Sequence, residues 1–189
     1  MTPLHETRET KKPTGLKVAP MSYANLEAAA KDLNPLLPRE AGKPNVISGW
    51  RVLEQTLAQA GYQTHIVEND DLKDCAAYTT PSQGLIVMRR DIYEGLHSGS
   101  VFSRSTVVHE LAHIVLRHEV TLHRGATPGA HQFFEDSEWQ AKAMTAALMM
   151  PMEICQQYPT PIALAEACGT SVEAAGYRIQ RLRSSGALK

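Results

Sequence analysis

Cysteine is scarce in this 189-residue chain. Cys75, Cys155 and Cys168 are odd in number, widely spaced and form no CxxC pair. That excludes a disulfide scaffold and a cysteine-based zinc site, and it fits reduced thiols in a cytoplasm. A long apolar run is missing too: the least polar stretch, Ala143–Met152, is too short to cross a bilayer and carries a threonine and a proline. The N-terminal MTPLHETRETKKPTG has no apolar core, so no secretory leader is expected. An excess of charge of one sign is also lacking. A net charge of −1 gives no global attraction to nucleic acid or anionic membrane. No internal repeat or low-complexity segment is present. The expected location is cytoplasmic, with no membrane contact.

What is present is ordinary for a folded protein, with 43% hydrophobic and 21% charged residues, and the length suffices for one domain with a small appendage. Residues 1–20 are polar, carry three prolines and show little periodicity, so they are expected to form a flexible leader. Ser22 can cap a helix through Asn25–Leu33 that stops around Asn34-Pro35 and Leu37-Pro38. A second helix is expected over Ser48–Ala60, with Trp50, Leu53, Leu57 and Ala60 on one face and Gly61 ending it. Strand signals follow at Gln63–Val67, Ala76–Thr80 and, after the turn Pro81–Gly84, Leu85–Met88. The pattern then turns helical over Val101–His118 and Ser137–Met150. This order predicts an α+β domain over 21–151 and a short helical unit over 152–189.

The chemistry concentrates in Ser105–Leu116, which contains His109-Glu110-Leu111-Ala112-His113, an HExxH motif in a strongly apolar helix. Residues four apart on a helix are offset by only about 40°, so both imidazoles leave one face and can ligate one zinc ion. Glu110 sits beside that position, placed to take a proton from a metal-activated water and pass it to a leaving amine. A third ligand has to come from elsewhere. His118 lies about half a turn round from His109 and cannot reach the same ion if the helix continues that far. His123 and His131 fall in a Gly/Pro-containing loop, where a solvated histidine is the plainer reading. Glu135 and Glu138 stand at the start of the next helix. Ser137 with Gln140 reads as a capping box that puts Glu138 in the first turn, and the stripe Ala141, Met144, Thr145 and Leu148 can pack that helix on the first. Spacing alone leaves three readings open: Glu135, Glu138, or an acidic first turn that only complements the helix dipole.

Together these residues resemble the ImmA/IrrE-type metallopeptidases. The resemblance rests on His109-Glu110-Leu111-Ala112-His113 with the aliphatic stretch ending at His118, and on Glu138-x-x-Ala141 running to Ala146-Ala147-Leu148-Met149-Met150-Pro151. A weaker third piece joins Leu164-Ala165, Gly169-Thr170-Ser171, Arg178-Ile179 and Leu182, and the whole spans roughly Trp50 to Leu182. The resemblance implies a zincin-like domain with a small antiparallel or mixed sheet, an HExxH helix, a ligand helix and a helix-turn-helix-like C-terminal unit. It implies Zn2+ held by His109, His113 and Glu138, with Glu110 as the catalytic carboxylate. It also implies endopeptidase action on a helix-turn-helix transcriptional repressor. The chain departs from the family's usual residues at Met144-Thr145 and at Ala112, both changes of packing scale.

In this reading Leu85–Met88 is the sheet edge above the metal, pairing with an extended substrate, and Tyr78, Tyr158 or a loop histidine assists the oxyanion. The C-terminal unit reads as two short helices, Pro161–Cys168 and Ser171–Leu182, with Thr170 and Glu173 as a capping box. Arg178, Arg181, Arg183 and Lys189 make this end basic, yet a solvated helical cap is favoured over direct nucleic-acid binding. The alternative to a peptidase is a non-enzymatic DNA- or partner-binding regulator with a structural metal site.

Overall fold

A computed structural model describes residues 14–118 and 131–188. His123 and Lys189 lie outside the described residues, as do positions 1–13 of the expected leader.

The chain opens with α1 (Tyr23–Leu33), capped by Ser22, whose hydroxyl accepts from the Asn25 amide at 3.1 Å. A short hairpin follows, β1 (Arg39–Glu40) and β2 (Lys43–Ile47), which no alternation in the sequence announces. Next comes α2 (Gly49–Arg51), continued by a wider π-type turn over Val52–Leu57 that buries Val52, Leu53 and Leu57. The principal sheet has three strands, β3 (Gln63–Val67), β4 (Ala77–Thr80) and β5 (Leu85–Arg89), in the order β3-β5-β4. β3 runs parallel to β5 and β4 antiparallel to it. The fold is therefore mixed α+β, as the element order predicts. One expectation fails here: Leu85–Met88 is the central strand, hydrogen-bonded on both sides, and cannot pair with a substrate. Its buried Ile86, Val87 and Met88 suit an interior strand. The two edge strands are β3 and β4.

Helix α3 (Arg90–His97), absent from the sequence expectations, leads through Gly99 into α4 (Val101–Val115), capped by Ser100. α4 stops before His118, because Arg117 adopts a left-handed φ of 53° and turns the chain back. α5 (Ser137–Met149) packs across α4, with Ala141, Met144, Ala147 and Leu148 buried between helices. Its N-cap is Asp136, whose carboxylate accepts from the Trp139 amide at 2.8 Å, so the expected Ser137–Gln140 capping box does not form.

The C-terminal unit contains α6 (Met152–Gln157), α7 (Pro161–Cys168) and α8 (Val172–Ser184). Thr160 caps α7, and Ser171 rather than Thr170 caps α8. Leu164, Cys168, Ala175, Ile179 and Leu182 join the same buried cluster as the body of the molecule. Two arginines fasten this unit. Arg104 of α4 donates to the Gly169 carbonyl. Arg178 of α8, its side chain fully buried, donates to both Glu27 carboxylate oxygens, to the Tyr23 hydroxyl at 3.1 Å and to the Met150 carbonyl at 3.1 Å. Arg178 is thus withheld from any phosphate, and Arg181 stacks on the Tyr23 ring at 4.3 Å.

Residues 14–21 of the N-terminal segment form a strap across the start of α5. Val18 donates to the Glu135 carbonyl at 2.8 Å, Met21 to Phe134 at 3.0 Å, and Ser137 donates back to Leu16 at 3.0 Å. Gly15 closes the approach: a Cβ there would stand 2.5 Å from Ser137 Oγ and 2.8 Å from Glu138 Cγ.

Candidate metal centre and cleft

Helix α4 presents His109 and His113 one turn apart, with ring centroids 4.7 Å from each other. The first turn of α5 brings Glu138 to the same point. His109 Nε2 lies 3.1 Å from His113 Nε2 and 3.3 Å from Glu138 Oε2, while His113 Nε2 lies 3.2 Å from Glu138 Oε1. A tetrahedral zinc with ligands at about 2.0–2.1 Å has edges of about 3.3–3.4 Å between ligand atoms. The three donors already stand at nearly that spacing, so a divalent ion of this kind fits among them. Hydrogen bonding from His109, with the His113 ring beside it, favours the ionised form of Glu138 and lowers its pKa well below the ordinary carboxylate range.

The other sequence candidates are drawn elsewhere. Glu135 accepts from the Gln132 amide at 3.1 Å and pairs with Lys17 at 3.5 Å, on the strap side of the turn. His131 is spent on Asp136, with Nε2 3.0 Å from the carboxylate. His118 is off the helix but is no donor to the cluster, since its Nδ1 faces His113 Nδ1 at 3.0 Å. Burial holds it below the ordinary histidine pKa.

Glu110 is 5% exposed among aliphatic neighbours. Burial raises its pKa to about 7; the nearby His113 opposes that rise and the Glu138 charge adds to it. A carboxyl poised near neutrality can both accept and return a proton.

The donors open on a cleft of about 530 Å³. One wall is the free edge of β4, from Cys75 to Thr79, and another is Phe102, Ser105 and Thr106 of α4. Tyr78, 41% exposed, stands in this wall, whereas Tyr158 caps the distant α6. Ser105, Lys142 and Thr145 also border a second cavity of about 560 Å³ between α5 and α8, lined by Trp139, Ala143, Ala146 and Met149. Of the two residues that organise the approach, sequence reasoning missed Asp136 and gave Gln140 a capping role that the structure does not bear out. Asp before Ser-Glu-Trp is as good a cap signal as the serine that was preferred.

Three converging donors, a buried carboxyl on the same helical turn and an open cleft define a metallopeptidase-type centre on an α+β frame. Residues 68–180, more than half of the chain, match the family model of the IrrE N-terminal-like domain, Peptidase M78, and the chain belongs to this metallopeptidase family. No curated protein matches it. No helix among the described residues is long and apolar enough to cross a membrane.

Proposed function

We propose that the protein is a zinc-dependent endopeptidase in which His109, His113 and Glu138 hold the metal and Glu110 is the catalytic base. The observation that carries this reading is the near-tetrahedral spacing of the three donors, at 3.1–3.3 Å, beside a buried carboxyl and above a cleft. Zinc, when bound, polarises the scissile carbonyl and acidifies a water. Glu110 takes the proton of the attacking water as the new C–O bond forms, and returns it to the amide nitrogen as the C–N bond breaks. Three donor side chains converge among the described residues, so a tetrahedral ion held there would keep one further position, which favours catalysis over a closed structural site.

The substrate segment lies extended along β4, adding a strand to the free edge that Leu85–Arg89 lacks. Tyr78 on that strand is the side chain best placed to donate to the developing oxyanion, which narrows the sequence candidates. The groove between α5 and α8 accepts an apolar side chain further along the substrate. A helix-turn-helix repressor encoded beside this protein is the proposed substrate, cut in the cytoplasm. Co-expression of that repressor with the wild-type protein should yield a shortened repressor, and co-expression with Glu110→Gln should not. Equal cleavage by both proteins overturns the role of Glu110. An intact repressor with zinc-loaded wild type overturns the substrate.

A further inference from the structure

A second histidine pair, His113 with His118, adjoins the donor cluster at the wall of the cleft. The chain after α4 makes a two-bond helix ending: the Arg117 amide donates to the Ile114 carbonyl at 3.1 Å, and the His118 amide to the His113 carbonyl at 2.9 Å. The left-handed φ of 53° at Arg117 closes this turn and lays the His118 side chain against that of His113. The imidazole nitrogens then meet Nδ1 to Nδ1 at 3.0 Å, leaving His113 Nε2 toward Glu138 and His109.

The Gln140 amide sets the sense of the hydrogen bonds on this path. Gln140, 1% exposed, directs its Nε2 to two carbonyl oxygens, Ala19 and Phe134, both at 2.8 Å. Carbonyls only accept, so this end of the amide must be the NH2 group; the flipped amide would set oxygen against oxygen twice. The amide oxygen therefore faces His118 Nε2 at 2.9 Å, and that nitrogen carries hydrogen. A neutral His118 then has a bare Nδ1, which accepts from His113. His113 consequently carries a hydrogen on Nδ1, and in the neutral ring its Nε2 lone pair is free at the cluster.

We propose that Gln140 and His118 form a hydrogen-bond relay that locks His113 in the Nδ1–H tautomer and so holds its Nε2 ready for the metal. His118 and Gln140 are positioning residues. The N-terminal strap belongs to the relay, because Ala19 supplies one of the two carbonyls that orient Gln140. Groups in this outer position set ligand orientation and basicity in metal sites. The relay rests on the metal-site reading for its purpose, but the tautomers are properties of the metal-free protein.

The test has two arms. In metal-free protein labelled with 15N-histidine, long-range 15N–1H correlation spectra should show His113 as the Nδ1–H form and His118 as the Nε2–H form. In a competition titration with a chromophoric chelator, His118→Phe should weaken zinc binding by roughly 10–100-fold. His118→Asn places an acceptor oxygen at the topological position of Nδ1 and should recover most of that loss, with His113 still Nδ1–H. A dominant Nε2–H form of His113 in the wild type overturns the relay, as does equal weakening in both variants, which marks a packing role. If His118→Phe does not fold, the wild-type tautomers decide. Zinc failing to bind a wild type that shows the expected tautomers would sink the metal-site reading and leave the relay standing.

Discussion

Removing Glu27 should destabilise the protein severely, although Glu27 is neither in the cleft nor fully buried. Its carboxylate is 18% exposed, but the guanidinium it serves, on Arg178, has no exposed side-chain surface. Glu27→Ala deletes two of the four hydrogen bonds of Arg178 and leaves a cation in the core beside only Tyr23 and the Met150 carbonyl. Breaking a buried ion pair from one side costs about 3–5 kcal/mol. For a domain of this length that is a fall in Tm of roughly 6–20 °C, at 2–4 °C per kcal/mol. Urea unfolding of the metal-free protein measures it, with hydrogen exchange along α7 and α8 reporting whether the C-terminal unit loosens first. The double variant Glu27→Leu/Arg178→Met removes both charges and should recover most of the loss. A cost below about 1 kcal/mol, the worth of an exposed pair, would refute the claim that this contact holds the C-terminal unit to the body.

Three further outcomes are expected. Because burial raises the Glu110 pKa in the fold from 4.5 to about 7, its contribution to stability is intact below about pH 4.5 and lost as pH rises through 7. Metal-free wild type should therefore lose about 3 kcal/mol relative to Glu110→Gln between pH 4.5 and 8; parallel stability curves would contradict the burial argument. Arg117→Gly relieves a left-handed residue and should leave zinc affinity unchanged while stabilising by up to about 1 kcal/mol, and a marked loss of affinity would show that the arginine side chain matters. Ala146→Arg fills the groove between α5 and α8 without touching the donors, and should lower kcat/KM for the repressor by about tenfold or more. Unchanged kcat/KM would remove that groove from the substrate path.

The donor cluster was legible because its signal is local. His109, Glu110 and His113 share one helical turn, and periodicity alone puts the two imidazoles on one face. Choosing Glu138 over Glu135 needed the turn at Phe133–Asp136, which directs Glu135 toward Lys17 and Gln132. Spacing cannot show such a reversal. Helix α3 was missed because it is short, eight residues, and no side-chain cap at Arg89 marks its start after the strand. The helix end at Val115 was hidden because left-handed residues are usually glycine or asparagine, and here the position is an arginine. Strand order lies beyond a single sequence: Leu85–Met88 reads the same at a sheet edge or in the middle, and only its pairing with both β3 and β4 places it inside.

The most direct measurement is X-ray absorption at the zinc edge on protein loaded with the metal, paired with its stoichiometry in wild type and Glu138→Ala. One zinc per chain is expected, with two nitrogen ligands and a carboxylate oxygen at about 2.0–2.2 Å, and with affinity that collapses in the variant. Sulfur in the coordination shell, or binding indifferent to Glu138, would contradict the proposed centre.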